Sequence, residues 1–120
     1  MRRAATIATV LLTLAGADFI AVPTALMHPY RFVSEKLIPT RAFENQVFIA
    51  CANRCDAERG LDYTGLSCIV GPDSVDLARA GRDQELITTS LDLALMLQSR
   101  SINIHIADRR PPMYAGLAED

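Results

Sequence analysis

The sequence predicts a single α/β domain over residues 1–120, with a tail at 101–120. A chain of 120 residues is long enough for one core, half of its residues are hydrophobic, and apolar runs of helical length alternate with shorter runs of strand length. The 12 Lys and Arg residues are scattered among 14 Asp and Glu, which gives a net charge of −2. We therefore expect no nucleic-acid partner, because phosphate binding needs a basic surface.

The first segment, residues 1–17, allows two interpretations. The segment begins with two arginines, continues with an apolar stretch and ends with small residues, which is typical of a secretory leader. In this interpretation the protein is a small secreted domain with residues 1–17 as signal peptide. The alternative is a buried helix over residues 2–15 that Gly16 ends, followed by a strand Phe19–Val22 that Pro23 stops. No apolar run approaches the about 18 to 20 residues that cross a bilayer, so we expect no membrane partner.

The remaining sequence alternates between helical and extended patterns. A helical stripe over residues 32–46 must break or restart at Pro39. The continuous apolar run Val47–Ala52 predicts a strand covered on both faces. Further predicted elements are the strands Leu66–Val70, Asp76–Ala80 and Glu85–Leu91, a surface loop over 55–64, a helix Leu91–Ser99 and a tail kept extended by Pro111 and Pro112.

The cysteines and histidines carry no recognised site motif. Cys51, Cys55 and Cys68 lack the paired Cys-x2-Cys hooks of a zinc site, so we expect no metal, reduced thiols and a cytoplasmic protein. Cys51 lies in an apolar strand, where burial raises a thiol pKa, which predicts an inert side chain. His28 and His105 are expected to be structural, because neither has an acidic partner in a known motif.

Four segments occur together in a familiar order: Leu14–Ala25, Arg41–Ile49, Ala52–Arg54 and Gly65–Asp73. In this order and spacing the chain resembles the C-terminal half of the carbon-nitrogen hydrolase (nitrilase/amidase) superfamily. The resemblance implies a fold that is half of a four-layer αββα sandwich. It also implies hydrolysis of non-peptide carbon-nitrogen bonds in a small amide, carbamoyl or nitrile substrate. No cofactor is implied, and the protein is expected to be a homo-oligomer. It also favours an internal helix over a leader at residues 2–15.

The resemblance implies that the catalytic residues lie outside this chain. Its members use a Cys nucleophile, a Glu base and a Lys that stabilises the developing anion, all upstream of the matched segments. The only lysine, Lys36, has no Cys or Glu pattern around it. We therefore expect no catalytic residue in this chain and no activity from residues 1–120 alone, as in a truncated hydrolase. A non-catalytic interaction subunit derived from the family is the alternative.

The predicted site residues are a pocket wall and a helix pair. Thr24, Ala25 and Asn53 follow adjacent strands, and ligands gather at strand ends in such folds, so we expect them to line the substrate pocket. Arg41 and Glu44 lie three residues apart on a helix and predict a structural ion pair, which the resemblance places at the edge of the active-site layer. The resemblance also implies that the tail packs across a dimer interface.

Overall fold

The computed structural model describes the backbone of residues 4–118 and the side chains of residues 8–116. Its elements are α1 (Ala4–Leu14), β1 (Phe19–Thr24), a π-helical turn (Val33–Leu37), α2 (Ile38–Asn45), β2 (Phe48–Asn53), β3 (Ala57–Glu58), β4 (Leu61–Asp62), β5 (Cys68–Val70), β6 (Asp76–Arg79), α3 (Leu93–Ile102) and a 3-10 helix (Pro111–Ala118). The predicted α/β class is confirmed. The helix restarts next to Pro39, as expected.

Four strands form one sheet in the order β1-β2-β5-β6. β1 and β2 are parallel, with Thr24 opposite Asn53, and the helical segment 33–45 makes the crossover that a parallel connection needs. β5 runs antiparallel to β2, with Cys68 opposite Cys51. The strands β3 and β4 form a separate hairpin. The carboxyl ends of β1 and β2 therefore meet at one edge of the sheet.

The core lies between the helices and one face of the sheet. Ile38 and Ala42, one helical turn apart on α2, pack there, and the full cluster is Ile20, Ile38, Ala42, Val47, Ile49, Cys51, Cys68 and Val70. On the opposite face Phe19 is 46% exposed, and Ala21, Pro23 and Ala52 are also exposed. Phe48 of β2 points to that same face and is nevertheless 1% exposed, so the run Val47–Ala52 is covered on both faces as expected at its start and is open at Ala52. One helix layer on one sheet is the arrangement expected of half a sandwich.

Helix α1 and strand β1 both depart from their predicted form. Gly16, at a φ of 97°, follows the helix as predicted. However, Leu11 and Leu12 are 59% and 46% exposed, so the described part of α1 is not buried. β1 continues through Pro23 to Thr24. The proline is tolerated because β1 is an edge strand within the described sheet and pairs on one side only.

Three predictions in the irregular segments are wrong. The loop over 55–64 contains the hairpin β3–β4, whose turn uses positive φ at Arg59 and Gly60. Glu85–Leu91 forms no strand, and its second residue, Leu86, is 88% exposed, so this side chain gains no burial that would favour a strand. The tail is not extended.

The two tail prolines begin the 3-10 helix Pro111–Ala118. The first residues of a helix need no backbone donor, so the two prolines are tolerated at this position. α3 begins two residues later than predicted, where Asp92 caps it by accepting a hydrogen bond from the Ala94 backbone at 2.9 Å, and it continues to Ile102. Within residues 4–118, no helix combines the length and apolarity that a membrane crossing requires.

Gly65 provides a test of this packing. At its φ of 61°, a Cβ would lie 2.8 Å from the Arg82 carbonyl oxygen and 2.9 Å from that of Gly81. We expect Gly65→Ala to lower the free energy of unfolding by at least about 2 kcal/mol, because backbone strain and overlap combine. Gly60→Ala is the matched control, since its φ is 80° with no atom within 4 Å of a Cβ, and we expect a loss of about 1 kcal/mol. Equal losses in urea titrations would contradict the packing described.

Candidate functional site

The three residues predicted to line a pocket lie together where β1 and β2 end. Thr24 and Asn53 are partners in the parallel register, and the Arg54 backbone donates to the Thr24 carbonyl oxygen at 3.2 Å. Thr24 and Asn53 are half-buried, whereas Ala25 is exposed. No hydrogen bond within the described part of the chain engages the Thr24 hydroxyl. This edge therefore presents a free hydroxyl and a methyl group.

The Asn53 carboxamide, in contrast, is fully engaged. Its Oδ1 accepts from the Leu26 backbone at 2.6 Å. Its Nδ2 donates to Thr64 Oγ1 at 2.9 Å, to the Gly65 carbonyl oxygen at 2.7 Å and, more weakly, to the Leu26 carbonyl oxygen at 3.3 Å. One side chain thus satisfies backbone groups of the segment after β1 and of the segment before β5. Asn53 positions the edge of the sheet.

Two hydroxyl groups complete this arrangement. Ser67 Oγ accepts from the Asn53 backbone at 2.9 Å and donates to its carbonyl oxygen at 3.2 Å. Thr64, which is 1% exposed, donates from its hydroxyl to the Leu26 carbonyl oxygen at 3.3 Å. These hydrogen bonds therefore connect the segment after β1 to the segment before β5, although no long β-ladder joins the two.

A small cavity of about 110 Å³ opens at this edge. It is lined by Asn53, Cys55, Gly65, Leu66, Ser67, Ala80, Gly81, Asp83, Gln84 and Glu85. Complete ligand pockets measure about 300 to 1,000 Å³, so the described residues enclose only part of such a volume. Asp83 and Glu85 contribute acidic side chains to this lining, and Glu85 accepts from the Gly81 backbone at 2.9 Å.

A buried polar network lies behind the strand ends. Arg79 Nη1 donates to Ser34 Oγ at 3.0 Å, and its Nη2 donates to the Ser34 carbonyl oxygen at 3.1 Å. The Arg79 Nε donates to Asp76 Oδ2 at 2.5 Å, and this pairing raises the Arg79 pKa. Ser34 Oγ in turn lies 3.7 Å from Cys68 Sγ. The network connects the π-helical turn to β5 and β6.

The three thiols have different electrostatic surroundings. A hydrogen bond from Cys51, the neighbouring Ser34 and the positive charge of Arg79 outweigh burial and lower the pKa of Cys68 to about 6. Contact with Cys68 and burial raise the pKa of Cys51, as predicted for an inert core thiol. Burial and the nearby Asp56 raise the pKa of Cys55. Sequence reasoning missed Cys68, because Ser34 and Arg79 lie 34 and 11 residues away along the chain.

The remaining predicted side chains lie outside this edge network. Arg41 Nη1 donates to Glu44 Oε2 at 2.6 Å on α2. His28 Nε2 lies 3.6 Å from Asp62 Oδ2, an acidic neighbour from β4 that the sequence did not indicate. The His105 ring packs edge-on against Phe43 at 5.4 Å. Among the described residues, no three His, Cys, Asp or Glu side chains form a cluster that could hold a metal.

The carbon-nitrogen hydrolase family matches residues 3–101 of the chain. The chain is 48% identical over 108 residues to the "Hydrolase in pqqF 5'region" of Pseudomonas protegens, covering 90% of this chain and 38% of that protein. It is 37% identical over 106 residues to the "Nitrilase" of Pyrococcus abyssi, covering 86% of this chain and 39% of that protein. The chain therefore belongs to the carbon-nitrogen hydrolase family and spans well under half the length of these relatives.

A solved structure of similar fold is an amidase from Nesterenkonia sp. AN1 in complex with acrylamide. It superposes with a TM-score of 0.81 at 30% identity, covering 93% of this chain and 39% of the amidase. Another structure of that amidase carries the acetamide moiety of fluoroacetamide on its active-site cysteine. The predicted membership and the predicted half of a nitrilase-like sandwich are thus confirmed. The family match includes residues 3–17, which favours the internal helix over the leader interpretation.

Removal of the Asn53 carboxamide should loosen this edge. We expect Asn53→Ala to lower the free energy of unfolding by about 2 to 4 kcal/mol, because several hydrogen bonds are lost and buried backbone groups lose their partner. Asn103→Ala is the control, since its half-buried carboxamide has no hydrogen bond within the described chain, and we expect a change below about 0.5 kcal/mol. Similar losses in urea titrations would contradict the role given to Asn53.

The Cys68 thiol should make stability depend on pH. Its folded-state pKa is about 6 against an ordinary 9.0, so between these values the unfolded chain binds more protons. The free energy of unfolding therefore rises with pH from 6 to 9, and this gain is lost as pH falls through 6. Cys51, whose pKa is raised only in the folded state, opposes this rise only as pH approaches 9.0, where its thiol ionises in the unfolded chain. In urea titrations under reducing conditions, Cys68→Ala should abolish the rise, whereas Cys55→Ala should keep it. Parallel curves for wild type and Cys68→Ala would contradict the assignment.

Proposed function

We propose that this chain is the C-terminal part of a hydrolase of small amides or nitriles and supplies one wall of its substrate pocket. The catalytic Cys, Glu and Lys would come from outside residues 1–120. The observation that carries the proposal is the meeting of Thr24, Ala25 and Asn53 at one edge of the sheet. Of the three, Asn53 also lines the cavity of about 110 Å³, which is too small to be a whole pocket. The coverage of 39% of the Nesterenkonia amidase supports it.

The three wall residues would have different roles. The Thr24 hydroxyl can both donate and accept, so it suits a primary amide, which carries a carbonyl acceptor and an amino donor. The exposed Ala25 would contact the apolar part of the substrate. Asn53 would set the positions of both, since its own donors and acceptor are already bonded. The wall would thus orient the carbonyl carbon for attack, and positioning of this kind lowers the entropic part of the barrier.

The cysteines of the chain are not proposed as the nucleophile. Cys51 and Cys68 are 2% and 0% exposed, so neither offers a surface on which an amide substrate could be bound for attack. Cys55 has a raised pKa, which lowers its thiolate fraction at neutral pH. The acetamide adduct on the active-site cysteine of the Nesterenkonia amidase supports a cysteine nucleophile in the complete enzyme. The proposed reaction needs no cofactor.

Self-association and a cytoplasmic location are part of the same proposal. Apolar side chains are exposed on α1, on α3 and in the tail, among them Leu11, Leu97 and Ile104 at 59%, 64% and 53%. Burial of such surfaces in a homo-oligomer would remove them from water. The cytoplasmic location is proposed because the odd number and the spacing of the three cysteines indicate no disulfide framework of the kind that secreted domains carry.

A fusion tests the proposed function. Residues 1–120 would replace the matching segment of the Pseudomonas protegens hydrolase, and acrylamide and butyramide would be assayed. We expect the fusion to hydrolyse an amide and the isolated chain to be inactive. Thr24→Val should raise KM about five- to tenfold, because one hydrogen bond to the substrate is lost. Thr89→Val, at an exposed position, should change nothing.

Two outcomes would contradict the proposal. The first is turnover by the isolated chain that disappears in Cys51→Ala or Cys55→Ala. The second is a folded but inactive fusion, which would favour a non-catalytic interaction subunit. Measurement of the fusion by circular dichroism separates misfolding from loss of function.

A further inference from the structure

Two buried cysteines face each other across neighbouring strands. Cys51 on β2 and Cys68 on β5 are direct partners in the antiparallel register. Both belong to the core on the helix side of the sheet, with exposures of 2% and 0%. Neither has a place in the proposed hydrolysis, so this dithiol is a site that the function does not explain.

The strand geometry suits a disulfide between them. Directly opposed residues of an antiparallel pair have Cα atoms about 4.5 to 5.5 Å apart, and disulfides span about 4.4 to 6.8 Å. Both side chains lie on the core face of the sheet at directly opposed positions, so the two thiols are neighbours. A bond between them would require little backbone movement.

The surroundings make the two thiols chemically unequal. Cys68 Sγ lies 3.7 Å from Ser34 Oγ, to which Arg79 Nη1 donates at 3.0 Å. This polar group favours the thiolate of Cys68, whose pKa is lowered, while the pKa of Cys51 is raised. At neutral pH the pair therefore consists of one thiolate and one thiol, which is the combination that stepwise disulfide formation uses.

We propose that Cys51 and Cys68 form an oxidisable dithiol that small hydroperoxides convert into a cross-strand disulfide. The Cys68 thiolate attacks the terminal peroxide oxygen, the O–O bond breaks, and a sulfenic acid and hydroxide (or alkoxide) form. The Cys51 sulfur then attacks the Cys68 sulfur, the S–O bond breaks, and the departing hydroxyl takes the Cys51 proton and leaves as water. The hydroxide from the first step takes one proton from solvent and becomes the second water. Overall, two thiols and one hydrogen peroxide give one disulfide and two waters, and a thiol reductant reverses the change.

The oxidation would act directly behind the strand ends. Ser67, next to Cys68, hydrogen-bonds to the Asn53 backbone two residues beyond Cys51. A disulfide would also remove the negative charge that lies near Arg79. Because both thiols are buried, only a small oxidant such as hydrogen peroxide reaches them. Larger oxidants, such as the disulfide of glutathione, are expected to react slowly.

The test uses the full 120-residue chain carrying Cys55→Ser, so that only the two opposed thiols remain. The folded protein is treated with hydrogen peroxide, quenched, unfolded in iodoacetamide and digested with trypsin, which cuts between the cysteines at Arg54 and Arg59. We expect a linked pair of peptides, 42–54 with 60–79, that dithiothreitol separates. The rate of linkage should reach half its maximum near pH 6, where the Cys68 thiol ionises.

Cys51→Ser and Cys68→Ser, each in the same background, are the controls, and neither should give the linked pair. Oxidised glutathione should react at least tenfold more slowly than peroxide with the folded chain, and the difference should shrink in urea. Full alkylation of both cysteines after a peroxide dose that oxidises free cysteine would overturn the proposal. So would linkage found only in urea, or a sulfinic acid on Cys68 without linkage.

Discussion

The carboxamide of Asn53 is the contact on which the rest of the site depends. Parallel strands end with unpaired backbone groups, and the chain leaves them by irregular segments that have no ladder of their own. Asn53 satisfies these groups from one position, through Leu26 on one side and Thr64 and Gly65 on the other. Because Thr24 is the register partner of Asn53, the same residue also determines where the hydroxyl of the pocket wall lies. A carboxamide suits this place, since it both donates and accepts without carrying a charge.

A second constraint is the burial of polar groups behind the wall. Ser34 is 0% exposed, yet its hydroxyl and carbonyl oxygens both receive hydrogen bonds from Arg79. The charge of Arg79 is balanced by Asp76 at the surface and by the ionisable thiol of Cys68 inside. Such a network makes the packing of β5 and β6 specific, because displacement of Arg79 would remove two hydrogen bonds from the buried Ser34.

The sequence predicts the parts of the fold in which local pattern and burial agree. The apolar run that becomes β2, the glycine after α1 and the helix restart at Pro39 follow from local chemistry alone. The proximity of Thr24 and Asn53 also follows, because two parallel strands joined by a helix end at the same edge. The family resemblance, which rested on the order of four segments, is supported by the match to residues 3–101.

The parts that the sequence does not predict depend on distant partners or on the absence of burial. Asn53 carries no local sign that it will bind residues 64 and 65, and Cys68 carries none that it will lie beside Ser34. Glu85–Leu91 has a composition that strands tolerate, but it forms no strand. Its apolar Leu86 stays 88% exposed among the described residues and so contributes no packing. Propensity alone does not distinguish a strand from an exposed segment in such cases.

Native-state hydrogen exchange of the Leu26 and Gly65 backbone amides tests the central claim about Asn53 most directly. The Leu26 amide donates to Asn53 Oδ1 at 2.6 Å, and the Gly65 amide donates to the Arg54 carbonyl oxygen at 3.0 Å, although neither residue lies in a strand. The account predicts protection of both amides approaching that of β2, with a joint loss in Asn53→Ala while α3 keeps its protection. Exchange of Leu26 and Gly65 in the wild-type chain at the rate of free loops would contradict it.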